Sequence, residues 1–368
     1  MFSDADKKFM QRALDLAAMA RGRTSPNPLV GAVIVKAGEI IGEGYHRKAG
    51  TPHAEVHALN AAGDYDLSDA TMYVSLEPCS HYGRTPPCAD ALVKAGLQRV
   101  VIATRDPNPL VAGRGVKILE NAGIETAVGL LEEPATRLNE VFFKYIQRGQ
   151  PFVSLKTAMT IDGKIASYTG DSRWVTGEAA RNFVHQLRNS YDAIMVGIGT
   201  VLADDPQLNT RLPGEDIKDP IRIIVDGQLD LPLESKIVKT ARTQRSIVFA
   251  AKNHDKEKAG MLKAWGLEIV EIGEEAANLL LENVMEQLGT MGICSVLLEG
   301  GAQINAYMLE HNLVDKVYWF IAPKIIGGRN APSPVAGQGI ALMNEAIKLK
   351  RVEVKNFDDD LCLIGYLA

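Results

Sequence analysis

The chain of 368 residues is poor in cysteine, has no long apolar run and carries no excess of positive charge. Four cysteines cannot staple a chain of this length, so a disulfide scaffold is excluded and a cytoplasmic protein with reduced thiols is expected. No stretch of about 20 apolar residues occurs, which leaves no candidate membrane helix. The opening residues, Met-Phe-Ser-Asp-Ala-Asp-Lys-Lys, are charged and then amphipathic, unlike a secretion signal. With 40 Lys and Arg against 45 Asp and Glu, the net charge is -5. That argues against a general nucleic-acid binder and leaves room for one local phosphate pocket. No Gly-x-Gly-x-x-Gly with a following acidic residue is present, so ordinary Rossmann binding lacks its fingerprint.

What remains is ordinary globular composition, 46% hydrophobic and 23% charged, in a length that suits about two domains. Ser3 and Asp6 form a capping signature ahead of a helical run through Ala20. Strands are expected at 30–35, 40–44, 71–76, 99–104 and 125–128, with helices at 54–62, 89–95 and 116–122. The alternation implies a layered α/β domain with a largely parallel sheet. One helix is expected over 131–147, and Gly149-Gln150-Pro151 breaks it. The domain boundary is placed there, giving domains 1–149 and 150–368. A second α/β series follows, with strands at 152–157, 193–197, 221–226, 246–250, 267–272, 295–299 and 316–322. Helices are expected at 178–188, 255–265, 276–288 and 303–311, and a terminal hairpin turns at Asp358-Asp359-Asp360.

The strongest chemical signal is His53-Ala54-Glu55, then Pro78-Cys79, then Cys88 nine positions on. One imidazole and two thiolates form an N/S set suited to Zn²⁺, with a fourth position left for water. Zinc makes that water a nucleophile near neutral pH, and Glu55 can carry its proton without being a ligand. This is the zinc deaminase arrangement, in which an amino group leaves a ring carbon as ammonia. On the residues alone other readings stay open: a structural zinc with His57 or His81 as fourth ligand, a protease-like His53/His57 pair, or cysteines unrelated to metal. The commoner deaminase spacing is Cys-x-x-Cys. Here Ser-His-Tyr-Gly-Arg-Thr-Pro-Pro intervenes, and Ser80, His81 and Arg84 can add substrate contacts.

Three segments carry a specific resemblance: Thr24-Ser-Pro-Asn-Pro-Leu-Val-Gly31, His53-Ala-Glu-Val-His57 and Glu77-Pro-Cys-Ser-His-Tyr-Gly-Arg-Thr-Pro-Pro-Cys88. They resemble the bifunctional riboflavin-biosynthesis deaminase/reductase family, and the resemblance covers the whole chain. It implies an N-terminal cytidine-deaminase-like α/β/α domain and a C-terminal dihydrofolate-reductase-like α/β domain. It also implies that Asn27 and His46 contact the pyrimidine while Ser80, His81 and Arg84 close around it. Where the family often has Lys in the ligand loop, this chain has Arg84.

In the second half, Val196-Gly197-Ile198-Gly199-Thr200 and Glu299-Gly300-Gly301-Ala302 each read as a strand end, a small-residue turn and a helix start. Such turns let backbone N–H groups approach phosphate, although glycine pairs there also serve steric ends. The segments 154–164, 172–176 and 197–206 resemble the family's reductase. That resemblance implies an NADPH site lined by Ala158, Trp174, Thr200, Asp204, the region of Gly227, and Gly301, Ala302, Gln303, Ile304, Asn305, Ala306 and Tyr307. It implies a substrate site at Lys156, Ser172, Arg188, Leu208, Arg211 and Glu299, with Arg188 and Arg211 clamping a phosphate. No acidic residue is expected where a Rossmann Asp would hold a ribose 2′-hydroxyl.

The expected activity is zinc-dependent deamination of 2,5-diamino-6-(5-phosphoribosylamino)pyrimidin-4-one, followed by NADPH-dependent reduction of its ribosyl side chain to ribityl. The expected partner is that small phosphoribosyl pyrimidine, with no nucleic acid and no membrane, in a homo-oligomer. Two competing classes are a nucleic-acid deaminase and a non-catalytic zinc-binding interaction protein. The first needs a basic surface and a Cys-x-x-Cys loop; the second needs four protein ligands and has no use for Glu55.

Overall fold

The computed structural model describes residues 2–80, 86–108, 111–214, 216–275 and 280–367. The chain divides into two compact units, Met1–Gly149 and Gln150–Ala368. In the first, helix α1 (Asp4–Ala18) opens on a capping box: Ser3 Oγ accepts the Asp6 N–H, and the Asp6 carboxylate accepts the Ser3 N–H. Strands β1 (Gly31–Lys36) and β2 (Glu39–Tyr45) form a hairpin through Ala37 and Gly38, both at positive φ. There follow α2 (Ala54–Ala62), β3 (Thr71–Val74), α3 (Cys88–Ala95), β4 (Arg99–Ile102), α4 (Arg114–Asn121) and β5 (Glu125–Val128). The sheet order is β2-β1-β3-β4-β5.

This sheet is mixed rather than largely parallel. β1 runs antiparallel to both β2 and β3, while β3, β4 and β5 run parallel. The tight hairpin reverses the chain, so a crossover helix leaving β2 delivers β3 antiparallel to β1. Strand residues alternate between two cores. Val33, Val35, Tyr73 and Val101 face α1, while Ala32, Ile34, Met72, Val74, Val100 and Ile102 face α2, α3 and α4. Helix α2 lies directly on β2, because a Cβ on Gly42 would sit 2.4 Å from the Ala58 carbonyl oxygen and one on Gly44 2.4 Å from the His57 Cβ.

The single helix expected over 131–147 is two, α5 (Glu132–Leu138) and α6 (Glu140–Arg148). The break falls at Asn139, which is buried and leaves helical geometry. Its carboxamide pairs with the Leu29 backbone, accepting the Leu29 N–H at 2.7 Å and donating to the Leu29 carbonyl at 2.9 Å.

The second unit holds β6 (Phe152–Thr160), α7 (Glu178–Ser190), β7 (Ala193–Gly197), α8 (Ile198–Asp204), β8 (Ile221–Val225), α9 (Lys236–Lys239), β9 (Ser246–Ala250) and α10 (Lys256–Ala264). After these come β10 (Glu268–Glu271), α11 (Leu281–Thr290), β11 (Ser295–Leu298), α12 (Ala302–Glu310), β12 (Lys316–Ala322), β13 (Leu349–Phe357) and β14 (Asp360–Leu367). The expected start of the helix at 276–288 lies outside the described residues. The sheet order is β10-β9-β8-β7-β11-β6-β12-β14-β13, parallel except at the terminal hairpin. Asp360 belongs to β14 rather than to the turn. It is buried because its carboxylate accepts the Gly177 N–H at 2.6 Å, just ahead of α7.

The connection leaving β7 runs to β8 on one side, while that leaving β11 runs past β6 to β12 on the other. Neighbours β7 and β11 therefore bracket a topological switch point, where open α/β sheets bind ligands at the carboxyl ends of their strands.

Candidate active sites

In the first unit the ligand set is assembled by two helix starts and one loop. His53 is the N-cap of α2 and Cys88 is the first residue of α3. Cys79 is fixed through its carbonyl, which accepts the Ala89 N–H at 3.2 Å, and its Sγ, which accepts the Cys88 N–H at 3.2 Å. The ligating atoms of His53, Cys79 and Cys88 lie within 4.8 Å of one another. His53 Nδ1 is 3.3 Å from the Cys88 sulfur and 3.6 Å from that of Cys79. Zinc bonds of about 2.0–2.3 Å span tetrahedral edges of about 3.3–3.8 Å, so these donors fit Zn²⁺ in spacing as well as chemistry. Hydrogen bonds from the Cys88 thiol and from His53 hold Cys79 down to about 4 against the cost of burial, while Cys88 is pushed up.

Glu55 lies in the first turn of α2, and only 3% of it is exposed. Its Oε2 is buried with no hydrogen-bond partner among the described residues. Burial, then the Cys79 charge, push its carboxyl up to about 7. A divalent cation on the three ligands adds an opposing charge that draws it back. His46 is held neutral by burial. Its Nδ1 faces the Pro52 carbonyl at 3.1 Å and so carries the proton, leaving Nε2 to accept from the Asn27 amide at 3.1 Å. Ser80 Oγ is buried with no partner among the described residues. His81 and Arg84 lie outside the described residues. Glu77, absent from the expected site, is buried, and its carboxylate accepts the N–H groups of Gly113 at 3.0 Å and Val116 at 3.3 Å. It thereby ties the segment entering Cys79 to the start of α4. An acid directly before Pro-Cys was the sequence signal.

In the second unit, Gly197 caps α8 and Gly301 caps α12 with no side-chain cap on either helix. The turns are joined by the Gly197 N–H to the Gly300 carbonyl at 3.3 Å. Gly300 and Gly301 have φ of 129° and 76°, and a Cβ on either would lie within 3.6 Å of Thr200 Oγ1. This side-chain-free cradle at the switch point, where two helices start without a side-chain cap, fits a dinucleotide's phosphates. Asp204, at the end of α8, lies 3.5 Å from Ser172 Oγ. Ala158 pairs with Phe320 within the sheet. The Gly227 carbonyl, after β8, accepts the Ala251 N–H. Trp174 is half-exposed with the Arg181 guanidinium 4.7 Å over its ring. Asn305 is buried, donating to the Pro334 carbonyl, with Oδ1 unpartnered among the described residues. Gln303 and Ile304 share the first turns of α12 with Ala302 and Ala306. Tyr307 donates to Glu282 of α11 at 2.9 Å and stacks on His311, so its hydroxyl is committed there.

An acid does follow β8: Asp226 stands where a Rossmann acid would, but it is fully buried and accepts the N–H groups of Asp230 and Leu231. It offers nothing to a ribose hydroxyl. Arg188, expected at the phosphate, is engaged by protein groups in this structure. Its Nε and Nη2 grip the two oxygens of Glu299 at 2.6 and 2.8 Å, and Nη1 donates to the Asn209 carbonyl at 3.0 Å. Lys156 Nζ stands 3.7 Å from the same carboxylate. Against the cost of burial, the charges of Arg188 and Lys156 hold Glu299 down to about 2. Leu208 is buried at positive φ, and Arg211 is exposed beside it.

Comparison with known proteins covers both units. Residues 3–104 match the model of the cytidine and deoxycytidylate deaminase zinc-binding region, and residues 151–363 match that of the RibD C-terminal domain. The chain is 47% identical to the riboflavin biosynthesis protein RibD of Actinobacillus pleuropneumoniae, over 97% of this chain and 94% of that one. It is 40% identical to RibD of Escherichia coli, over 97% and 98%. Among solved structures, Acinetobacter baumannii RibD superposes with a TM-score of 0.88 at 41% identity, and the Thermotoga maritima deaminase/reductase with 0.87 at 38%, each covering 99% of both chains. A zinc-type ligand set beside a buried acid in one unit, a nucleotide cradle in the other, and relatives aligned end to end lead to one conclusion: the chain belongs to the RibD family, the bifunctional deaminase/reductases of riboflavin biosynthesis.

Proposed function

We propose that residues 1–149 carry the deaminase and residues 150–368 the reductase. In the first, His53, Cys79 and Cys88 hold the zinc, which when bound supplies the Lewis-acid charge that makes water a nucleophile near neutral pH. Asn27 and the neutral His46 orient the pyrimidine, and Ser80, His81 and Arg84 close around it. Glu55 accepts a proton from the attacking water and delivers it to the departing nitrogen. One water is consumed and one ammonia is released. The observation that carries this reading is the buried, unpartnered Glu55 oxygen beside three ligand atoms within 4.8 Å of one another.

In the second, the turns at Gly197–Thr200 and Gly300–Tyr307 receive NADPH, which supplies the hydride when bound. Ala158, Trp174, Asp204 and the Gly227 region line the rest of that site. Glu299, held in a fixed orientation by Arg188, accepts from the sugar hydroxyls, while Lys156 orients the reacting sugar. Ser172 and Leu208 line the same pocket, and the phosphate falls to Arg211. Metal analysis with an ammonia-release assay on the diaminopyrimidine substrate tests the first half. One bound zinc without ammonia release overturns it. Oxidation of NADPH that depends on the deaminated product tests the second.

A homo-oligomer is part of the proposal. β13 is the edge of the nine-stranded sheet and exposes Val352 and Val354, and an uncovered edge strand of this length templates pairing with a second copy. Light scattering checks it, and a mass of 39.9 kDa at every concentration counts against it. None of the four cysteines is in a disulfide, and no described helix is long and apolar enough to cross a membrane. Both support a cytoplasmic location, which fractionation would test.

A further inference from the structure

The segment that presents Arg211 is pinned residue by residue. The Leu208 carbonyl accepts from Gln244 at 3.0 Å, and the Asn209 carbonyl accepts from Arg188 at 3.0 Å. The Thr210 N–H donates to Asp219 at 2.7 Å. The last tether is of another kind: the Arg211 N–H donates to Nδ1 of His185, at 3.3 Å. His185 lies on α7 three residues before Arg188, and it is buried. Its function in the site is not accounted for by the phosphate, sugar or cofactor contacts above.

We infer that His185 is a positioning residue of the reductase: by accepting the Arg211 N–H it fixes the point from which the Arg211 side chain reaches the substrate phosphate. The inference rests on the proposed assignment of Arg211 to that phosphate. The acceptor role requires an imidazole with its proton on Nε2 and its Nδ1 lone pair free. The surroundings enforce this. His185 is out of water and is faced by Arg188 and Arg211, with Lys156 beyond and Glu299 the one opposing charge. Burial and then these cations keep the ring neutral down to about 4, so the tether holds at any pH at which the enzyme would be assayed. The other three tethers hold 208–210 without His185. Removing it therefore frees Arg211 at its base while the loop keeps its path.

The geometry separates two near-isosteres. Asn at 185 can place its Oδ1 where Nδ1 lies, whereas the amide of Gln reaches the Nε2 position instead. The test uses the zinc-loaded full-length chain with the variants His185→Asn, His185→Gln and His185→Leu. Steady-state reduction is measured with the deaminated phosphoribosyl substrate and with its dephosphorylated counterpart, and amide hydrogen exchange is followed at Arg211. His185→Leu and His185→Gln should raise KM for the phosphorylated substrate by about three- to tenfold, the loss of one hydrogen bond. They should leave kcat, KM for NADPH and KM for the dephosphorylated substrate unchanged, and speed exchange at Arg211. His185→Asn should restore both readouts, and if Leu fails to fold the Asn–Gln contrast carries the test. Unchanged exchange at Arg211, or a fall in kcat with KM untouched, overturns the inference. So does faster exchange with phosphate discrimination intact in these variants but lost in Arg211→Ala. Discrimination unchanged in Arg211→Ala itself overturns the phosphate assignment and leaves the tether standing.

Discussion

Two buried glutamates in this chain occupy opposite electrostatic extremes. Glu55 has one oxygen with no partner among the described residues, and burial lifts its carboxyl to about 7. The Glu299 side chain is also nearly enclosed, but it is gripped at both oxygens by Arg188 with Lys156 at hand, and it is held at about 2. Burial alone therefore does not define such a group; its partners do. A carboxyl with an unpaired oxygen beside a metal site can take up and give back a proton, as general acid–base chemistry demands. One locked as a carboxylate can only hold and orient. The contrast divides the proposed work of the two units between moving protons and fixing a sugar.

The contrast is broken most severely by removing Glu299. Glu299→Ala leaves Arg188 buried without its counter-ion and should cost about 3–5 kcal/mol of stability, as broken buried pairs do. The three tryptophans, Trp174, Trp265 and Trp319, all lie in the second unit, so their fluorescence reports its unfolding. Ammonia release by the first unit should persist. An Arg188→Met/Glu299→Leu double variant should regain much of the lost stability while remaining inactive in reduction. By contrast, Glu55→Gln should cost little stability, because no guanidinium or ammonium group is paired with it. It should cut ammonia release by about 10²-fold or more, the scale of positioned acid–base catalysis, with zinc still bound. Near-normal turnover in that variant would falsify the proton-carrier role. Zinc chelation should likewise stop ammonia release and spare reduction of supplied deaminated intermediate.

Acid sharpens the comparison further. Unfolded Glu299 binds a proton near 4.5 and folded Glu299 only near 2, while His185 goes from 6.5 unfolded to about 4 folded. In both cases the unfolded chain binds more protons, so stability falls as pH falls, first between 6.5 and 4 and then between 4.5 and 2. Each unit of difference is worth about 1.4 kcal/mol. Tryptophan-monitored melting should therefore drop steadily below pH 6.5, and a flat profile down to pH 4 would remove the His185 contribution. The smallest effect concerns the cofactor. With its carboxylate turned inward, Asp226 does not oppose a 2′-phosphate at the end of β8, and two helix starts without a side-chain cap favour negative charge. The preference for NADPH over NADH in kcat/KM should be at least about tenfold, or roughly 1.4 kcal/mol. Added salt should narrow it, and equal efficiencies would show that the 2′-phosphate is not recognised.

What could be read from the sequence was chemistry with narrow requirements and structure with local causes. His53, Cys79 and Cys88 stand out because few other roles combine those donors, and their atoms do converge. Gly63 and Gly96 end α2 and α3 because each adopts a positive φ, a preference written in one residue. The features that local pattern could not show have partners far along the chain. Asn139 splits a helix by pairing with a backbone 110 residues away, and Arg188 finds its carboxylate 111 residues away. Asp226 closes the expected strand 221–226, but its inward turn depends on Asp230 and Leu231. His185 gave no signal, since a histidine on a helix reads the same whether its acceptor is used or idle.

The Asn139 carboxamide does for Leu29 what an adjacent strand would do, offering one donor and one acceptor in register. The loop ahead of β1 thus borrows its stiffness from a break between two helices. Asn27 lies two residues from that anchorage and is braced on the other side by its own N–H to the Thr24 carbonyl. Leu29 is then a fulcrum, and the proposed grip of Asn27 and His46 on the ring is only as firm as that pivot. Asn139→Asp would keep the acceptor but set a carboxylate oxygen against the Leu29 carbonyl. The slackness would surface far from position 139, in how tightly a pyrimidine is held.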